Sequence, residues 1–307
     1  MISLLLAKQI VQLFLIMLCG FLIVRLGFLS SSDSKVLSTL AVYIIMPCTI
    51  INAFQIGFSP DIVKNYGLAV LVAIVIHILL FAITYLLDKP FHFTNIEKAS
   101  LIYSNAGNLI IPLVTAILGS EWVIYSSAFL VVQLFVLWTH GKSLVEGKKG
   151  LDLKKIFTSI NLIACFAGLL MLLLDIKMPA LIQGTVNSIA GTIGPVCMLM
   201  LGMILAGLDL KSMLTRKRTW VIALLKMIVL PFLVVLIMKL SGIASLSPDG
   251  ITVLYIGLMA TMTPSATTIT QMAQLYGQDA DYATSINTIT TLICIVTMPL
   301  MTMLYYL

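Results

Sequence analysis

Polar side chains able to donate hydrogen bonds are concentrated at two places in an otherwise apolar chain. One reads Asn105-Ala106-Gly107-Asn108 with Pro112 after it, and the other reads Thr263-Pro264-Ser265-Ala266-Thr267-Thr268. Amides and hydroxyls in this pattern bind: they either hold an anion or satisfy backbone groups that a broken helix has set free. Each cluster interrupts a long apolar segment near its middle. In hydrocarbon no water satisfies a loose N–H or C=O, so a helix broken at that depth survives only where protein covers it or where it lines a wet cavity. A matched pair of breaks, one in each half of the chain, points to a substrate site at mid-membrane.

Other chemistries are excluded by what the chain lacks. No GxGxxG, Walker loop, HExxH or GxSxG occurs, so no nucleotide, zinc or acyl-transfer signature is present. The acidic residues Asp33, Asp88, Glu97, Glu121, Asp175 and Asp249 all lie at or near segment ends, which leaves no paired carboxylates in the interior. Cys19, Cys48, Cys165, Cys197 and Cys294 sit inside apolar segments without a CxxC pair and read as small hydrophobes. The expectation is no catalytic residue, no metal and no cofactor.

The elements that must position the two clusters are membrane helices. Of 307 residues 60% are hydrophobic and 10% charged, and the mean hydropathy of +1.11 lies far outside the range of a soluble domain. No period-two alternation supports a barrel. About ten apolar stretches reach the roughly 20 residues a spanning helix needs. They run over 4–25, 36–56, 63–87, 97–118, 122–139, 156–174, 184–208, 219–240, 250–276 and 282–306. The opening stretch lacks a cleavage pattern and is expected to be a permanent first helix. Trp122, Trp138, Trp220, Tyr305 and Tyr306 fall at span ends, where aromatic anchors belong.

Lysine and arginine divide unevenly between alternate connections. Arg25, Lys35, Lys89, Lys98, Lys142, Lys148, Lys149, Lys154, Lys155, Lys211, Arg216, Lys217 and Arg218 flank one face, against Lys8, Lys64, Lys177 and Lys239 on the other. The basic face is expected to be cytoplasmic, with both termini outside. The net charge of +6 then reflects topology and anionic headgroups, and calls for no nucleic acid.

The two halves echo each other. Ala41-Val42-Tyr43-Ile44-Ile45-Met46-Pro47-Cys48 is answered by Ala190-Gly191-Thr192-Ile193-Gly194-Pro195-Val196-Cys197, with the prolines 148 positions apart, and Pro112 and Pro264 are 152 apart. Five spans followed by five make an inverted-topology repeat: residues 1–140, a basic linker at 141–155, and residues 156–307. The fold class is all-α integral membrane, with ten spans in a 5+5 inverted repeat and two broken helices that cross.

The order of these motifs resembles the auxin efflux carrier family over the whole chain. The resemblance rests on Asn105, Gly107, Asn108 and Pro112; Trp138-Thr139-x-Gly141; Pro179, Pro195 and Gly202; Lys226 with Pro231; and Pro264-Ser265-Ala266 followed by Tyr276-Gly277. Asn161-Leu162 stands where Asn-Pro is expected, and the long cytoplasmic loop of many plant members is missing, so the match is to the compact prokaryotic type. The resemblance implies similarity to the sodium/bile-acid symporter fold. It also implies a scaffold of helices 1, 2, 6 and 7, a mobile unit of helices 3–5 and 8–10 moving as an elevator, and a homodimer through the scaffold. The bacterial relatives it brings to mind are permeases for malate or malonate.

From these residues the expected substrate site in the lipid bilayer comprises Asn105, Gly107, Asn108, Pro112, Thr263, Pro264, Ser265, Thr267, Gln133 and Asn287, around a small organic anion. Half-helices that begin after each break aim N–H groups and the positive end of their dipoles at the membrane centre. Gln133, Asn287 and Thr291 either face that crossing or tie helices together. Lys226 either snorkels to the interface or reaches an inward cavity. His77 either carries a proton or makes an interhelical hydrogen bond. Gly191, Gly194, Gly202 and Ala206 are expected to give the seventh span a smooth sliding face. Transport of an organic anion, a channel of the same architecture and a non-transporting sensor or scaffold are the readings in play. Import or export and the coupling ion are left open.

Overall fold

The computed structural model describes residues 2–55, 59–147, 158, 160–207 and 216–306. Those residues are helical throughout, apart from turns and a single two-residue bridge. We number the helices α1 Ile2–Arg25, α2 Ser31–Ala53, α3 Pro60–Phe91, α4 Asn95–Ile102, α5 Ala106–Ile117, α6 Ser120–Glu146 and α7 Ile160–Leu173. There follow α8 Ala180–Ala190, α9 Ile193–Ala206, α10 Lys217–Leu240, α11 Gly250–Thr261, α12 Thr267–Leu275 and α13 Ala280–Tyr306.

Among the described residues five stretches are long and apolar enough to cross a membrane: α2, α3, α6, α10 and the run Ala180–Ala206 that contains α8 and α9. A sixth is α13, if its bent length is one span. Its bend falls where Pro299 has no N–H to give the Ile295 carbonyl. At 8, 12, 12 and 9 residues, α4, α5, α11 and α12 are each too short to cross about 30 Å of hydrocarbon. They are the halves of the two broken segments. The fifth span runs on past its expected end, since α6 continues to Glu146 and takes in the first residues of the expected linker. Lys148, Lys149, Lys154, Lys155 and Lys211 lie outside the described residues.

Among the described residues prolines set two of the three π turns. A π turn at Ala41–Ile45 in α2 precedes Pro47, and another at Leu225–Val229 in α10 precedes Pro231. Each proline removes the N–H that would close an α turn, and the ladder widens by one residue just before it. A third π turn, Leu137–Gly141, lies in α6.

The chain groups into two compact units, 1–62 with 111–127 and 157–209, and 63–110 with 128–156 and 210–307. The division passes through the first turn of α3 and through α5 and α6. In the first unit α1 and α9 meet backbone to backbone. A Cβ on Gly20 would stand 2.1 Å from the Leu199 carbonyl oxygen, and one on Gly202 would stand 1.9 Å from that of Met17. Gly202 therefore does not belong to a sliding face: it is buried against α1 in its own unit, because only glycine admits so close an approach. In the same unit the Gln183 and Asn52 amides meet at 2.6 Å, and Asn52 gives a further hydrogen bond to Asn187 at 3.3 Å.

One end of the second unit is held by charge. Arg218 clamps the buried Glu97 carboxylate through Nε at 2.7 Å and Nη2 at 3.0 Å, and Tyr282 donates to the same carboxylate at 2.6 Å. Thr94 and Glu97 close a capping box at the start of α4. Lys98 pairs with Asp88 at 2.6 Å beside them. Tyr305, expected as an interfacial anchor, is instead buried with its hydroxyl on the Ile251 carbonyl at 2.7 Å.

Candidate functional site

The two breaks meet inside the second unit. Between α4 and α5 the chain is extended over residues 103–105, and between α11 and α12 it is irregular over 262–266. Ser104 and Ser265 face each other as an antiparallel bridge. The Asn105 N–H donates to the Pro264 carbonyl at 2.7 Å, and the Ala266 N–H donates to the Tyr103 carbonyl at 3.0 Å. In this pairing the N–H and C=O of the two serines themselves point outward, away from the partner strand.

Those outward groups are each satisfied by one neighbouring helix. Gln133 of α6 accepts from the Ser104 N–H at 3.3 Å and donates to its C=O at 2.9 Å, as a third strand would. Thr290 of α13 accepts from the Ser265 N–H at 3.2 Å, while Asn287 donates to the Ser265 carbonyl. Thr290 can pass its own proton to the Ile286 carbonyl at 2.8 Å. Gln133 thus does on one side of the bridge what Asn287 and Thr290 do together on the other, and each hydrogen bond made here removes a buried-group penalty of about 1–3 kcal/mol. Thr291 bonds back to the Asn287 carbonyl at 2.7 Å, one turn away.

Lys226 brings the charge. Rising from the π turn of α10, it is 1% exposed, and its Nζ donates to the Leu101 carbonyl at 2.9 Å and to Ser104 Oγ at 2.8 Å. It does not snorkel. Its partners are the C-terminal end of α4, where the helix dipole is negative, and a hydroxyl of the bridge. The other fully buried charge in this unit among the described residues is Glu97, whose partner is Arg218. The crossing therefore holds a buried lysine hydrogen-bonded to two neutral groups, the Leu101 carbonyl and the Ser104 hydroxyl.

The remaining expected residues fall as follows. Asn105 is 5% exposed at the bridge, and Pro264 and Ser265 are buried within it. Thr263 is buried and spends its hydroxyl on the Ala260 carbonyl at 2.8 Å, ending α11. Thr267 is half-buried at the first turn of α12. Gly107 and Asn108 occupy the first turn of α5, and their side chains lie outside the described residues. Pro112 is away from the break: it lies inside α5, where its missing N–H frees the Asn108 carbonyl. The interval between Pro112 and Pro264 therefore does not join equivalent places, and the serines do. His77 of α3 is buried, with Nδ1 on the Ala73 carbonyl at 2.7 Å, its ring 5.0 Å from that of Phe129, and Nε2 without a partner among the described residues. Among those residues no group of three or more His, Cys, Asp and Glu could hold a metal.

Sequence reasoning passed over Ser104, Tyr103 and His140. Ser104 directly precedes the Asn105 cluster and is the residue that makes the bridge; the signal was its small polar side chain next to the break. His140 was read only as the variable position of Trp138-Thr139-x-Gly141. In the structure its Nε2 meets the Tyr85 hydroxyl at 2.9 Å and its Nδ1 meets the Tyr103 hydroxyl at 2.9 Å.

Two helices broken at a shared bridge, among apolar helices of spanning length, mark a multi-pass membrane protein. The chain belongs to the membrane transport protein family, the auxin efflux carrier family, whose model matches residues 5–155 and 149–302. It is also 28% identical over 165 residues to an uncharacterized transporter, YLR152C, of Saccharomyces cerevisiae. That match takes in 48% of this chain and 28% of the yeast protein, so the chain spans well under two thirds of that relative.

Proposed function

We propose that this membrane transport protein is a secondary carrier of small organic anions, which binds a carboxylate at the bridge of the two broken helices. The observation that carries the reading is Lys226, whose buried side-chain amine is hydrogen-bonded to a carbonyl and a hydroxyl and to no acid among the described residues. A lone cation in hydrocarbon is costly, and an anionic ligand offsets that cost. The first N–H groups of α5 and α12 have no intrahelical partner and can receive the same carboxylate. Asn105, Asn108, Ser265 and Thr267 would add donors, while Gln133, Asn287 and Thr263 hold the backbone in place. Malate-like dicarboxylates are favoured by the family resemblance. A channel needs a continuous polar path, whereas the polar groups here gather at one place.

We further propose ten spans in a 5+5 inverted repeat with the basic connections cytoplasmic and both termini outside. Spans 3–5 and 8–10, which carry the bridge, would move as an elevator against spans 1, 2, 6 and 7, in a homodimer formed through the latter. Spin labels at Leu26 and Leu86, one in each unit, should change their separation when substrate is added. Uptake and efflux of radiolabelled mono- and dicarboxylates by proteoliposomes test the carrier reading directly. Saturable flux that Lys226→Gln reduces by tenfold or more is the expected result. Equal flux in parent and variant overturns the site.

A further inference from the structure

His140 stands in a cluster that the bridge does not explain. It lies in the π turn Leu137–Gly141 of α6, half-buried, with both ring nitrogens on tyrosine hydroxyls from different elements. Tyr103 is fully buried and gives its hydroxyl proton to the Val136 carbonyl at 3.1 Å, which leaves a lone pair for His140 Nδ1–H. The backbone of the same tyrosine forms the bridge, accepting the Ala266 N–H. Tyr85, 41% exposed, lies at the other ring nitrogen. Gly141 is what permits this packing, since a Cβ there would stand 2.8 Å from Tyr103 Cε2.

We propose that His140 is a proton-binding site that adjusts the bridge through Tyr103, and that proton uptake there strengthens anion binding. The inference rests on the carrier reading for its effect on flux, and on the geometry alone for the proton site. In the neutral ring Nδ1–H donates to Tyr103 and Nε2 accepts from the Tyr85 hydroxyl. When Nε2 takes a proton from water, it becomes a donor to Tyr85, whose exposed hydroxyl turns its own proton to solvent. No buried hydrogen bond breaks in either state, and the charged ring strengthens the Nδ1–H bond to the hydroxyl of Tyr103, whose carbonyl holds the Ala266 N–H. Among the described residues the groups around it are, on α3, Phe81 against the ring with centroids 4.6 Å apart, Tyr85, and Asp88 paired to Lys98. From α4 comes Lys98, its ammonium 5.7 Å from the centre of the Tyr85 ring, with Tyr103 following that helix. From the end of α6 come Lys142 and Glu146, 3.7 Å apart. The acids and lysines among them pair off, so a proton on His140 is a net added cation in the unit that holds Lys226.

The test has two arms on the full-length chain. Hydrogen exchange at the Asn105 and Ala266 amides, corrected for intrinsic rates, is followed from pH 5 to 8 in parent and His140→Gln; in parallel, uptake is measured with a carboxylate fully ionised across that range. We expect exchange protection to change with pH in the parent and stay flat in the variant. Parent KM should fall about fivefold from pH 7.5 to 5.5, against less than twofold in His140→Gln, while His77→Gln keeps the parent profile. Tyr103→Phe should weaken the pH response of the bridge amides, while ¹⁵N-histidine NMR still shows His140 titrating. If parent and His140→Gln share one exchange profile, the proposal is overturned whatever the flux shows. If exchange follows His140 but KM does not change with pH, the proposed strengthening of anion binding is overturned. If exchange follows His140 and no carboxylate moves at all, the carrier reading fails and the proton site stands.

Discussion

The α1–α9 contact in one unit and the bridge in the other are two ways to bring backbones close in hydrocarbon. At Gly20 and Gly202 both helices are intact, every interior carbonyl keeps its own helical partner, and closeness comes from removing side chains. At Ser104 and Ser265 both helices are broken, and closeness comes from hydrogen bonds between strands and from three further side chains that finish the pairing. Glycine contact makes a tight joint with nothing left to bind. A broken helix frees backbone groups and so needs polar neighbours, here Gln133, Asn287 and Thr290, with the Lys226 amine beside them.

The comparison can be broken most forcefully at the glycines. Gly202→Val would place a branched side chain where even one carbon stands 1.9 Å from a carbonyl oxygen. We expect loss of the folded, monodisperse protein in gel filtration, since overpacking against backbone exceeds the usual cost of about 1–3 kcal/mol. Next in size is Gln133→Leu, which strands the Ser104 N–H and C=O together. It should cost about 2–6 kcal/mol at roughly 1–3 kcal/mol per orphaned group, read as a lowered thermal midpoint with flux lost in proportion.

Lys226→Met separates charge from structure. It removes the buried cation yet keeps apolar bulk, so the midpoint should shift by only a few degrees while carboxylate flux falls by at least tenfold. Loss of both together would make Lys226 a purely structural tie. Asn105→Ala is smaller still: binding should weaken by about five- to a hundredfold, the range that goes with a lost donor of about 1–3 kcal/mol, with an unchanged midpoint. Smallest is Thr94→Ala, away from both regions, which removes the cap of α4. It should cost about 1 kcal/mol and leave the substrate affinity alone, as isothermal titration would show.

Much of this was legible in the residues because hydrophobicity and small-residue placement are local properties. Apolar runs announce helices of spanning length, and Pro264 with its polar neighbours marks the second break at its true position. Pro112 misled, because proline is tolerated inside α5, and the first break falls earlier, at residues 103–105. Gly202 was visible as a small residue, yet whether a small residue serves sliding or locking depends on what lies across from it, here the Met17 carbonyl.

By itself the sequence determined the class, a multi-pass helical membrane protein with two interrupted helices, because transfer of apolar residues into lipid is additive along the chain. Only the tertiary structure decided how the interruption is resolved. It pairs Ser104 with Ser265 at a separation of 161 residues, assigns Gln133, Asn287 and Thr290 to their outward backbone groups, and sends Lys226 to the bridge and not to the interface. The physical reason is that hydrogen bonds are satisfied in three dimensions. A buried N–H or ammonium takes whichever acceptor the fold brings within about 3 Å, and spacing along the chain does not encode which one that is.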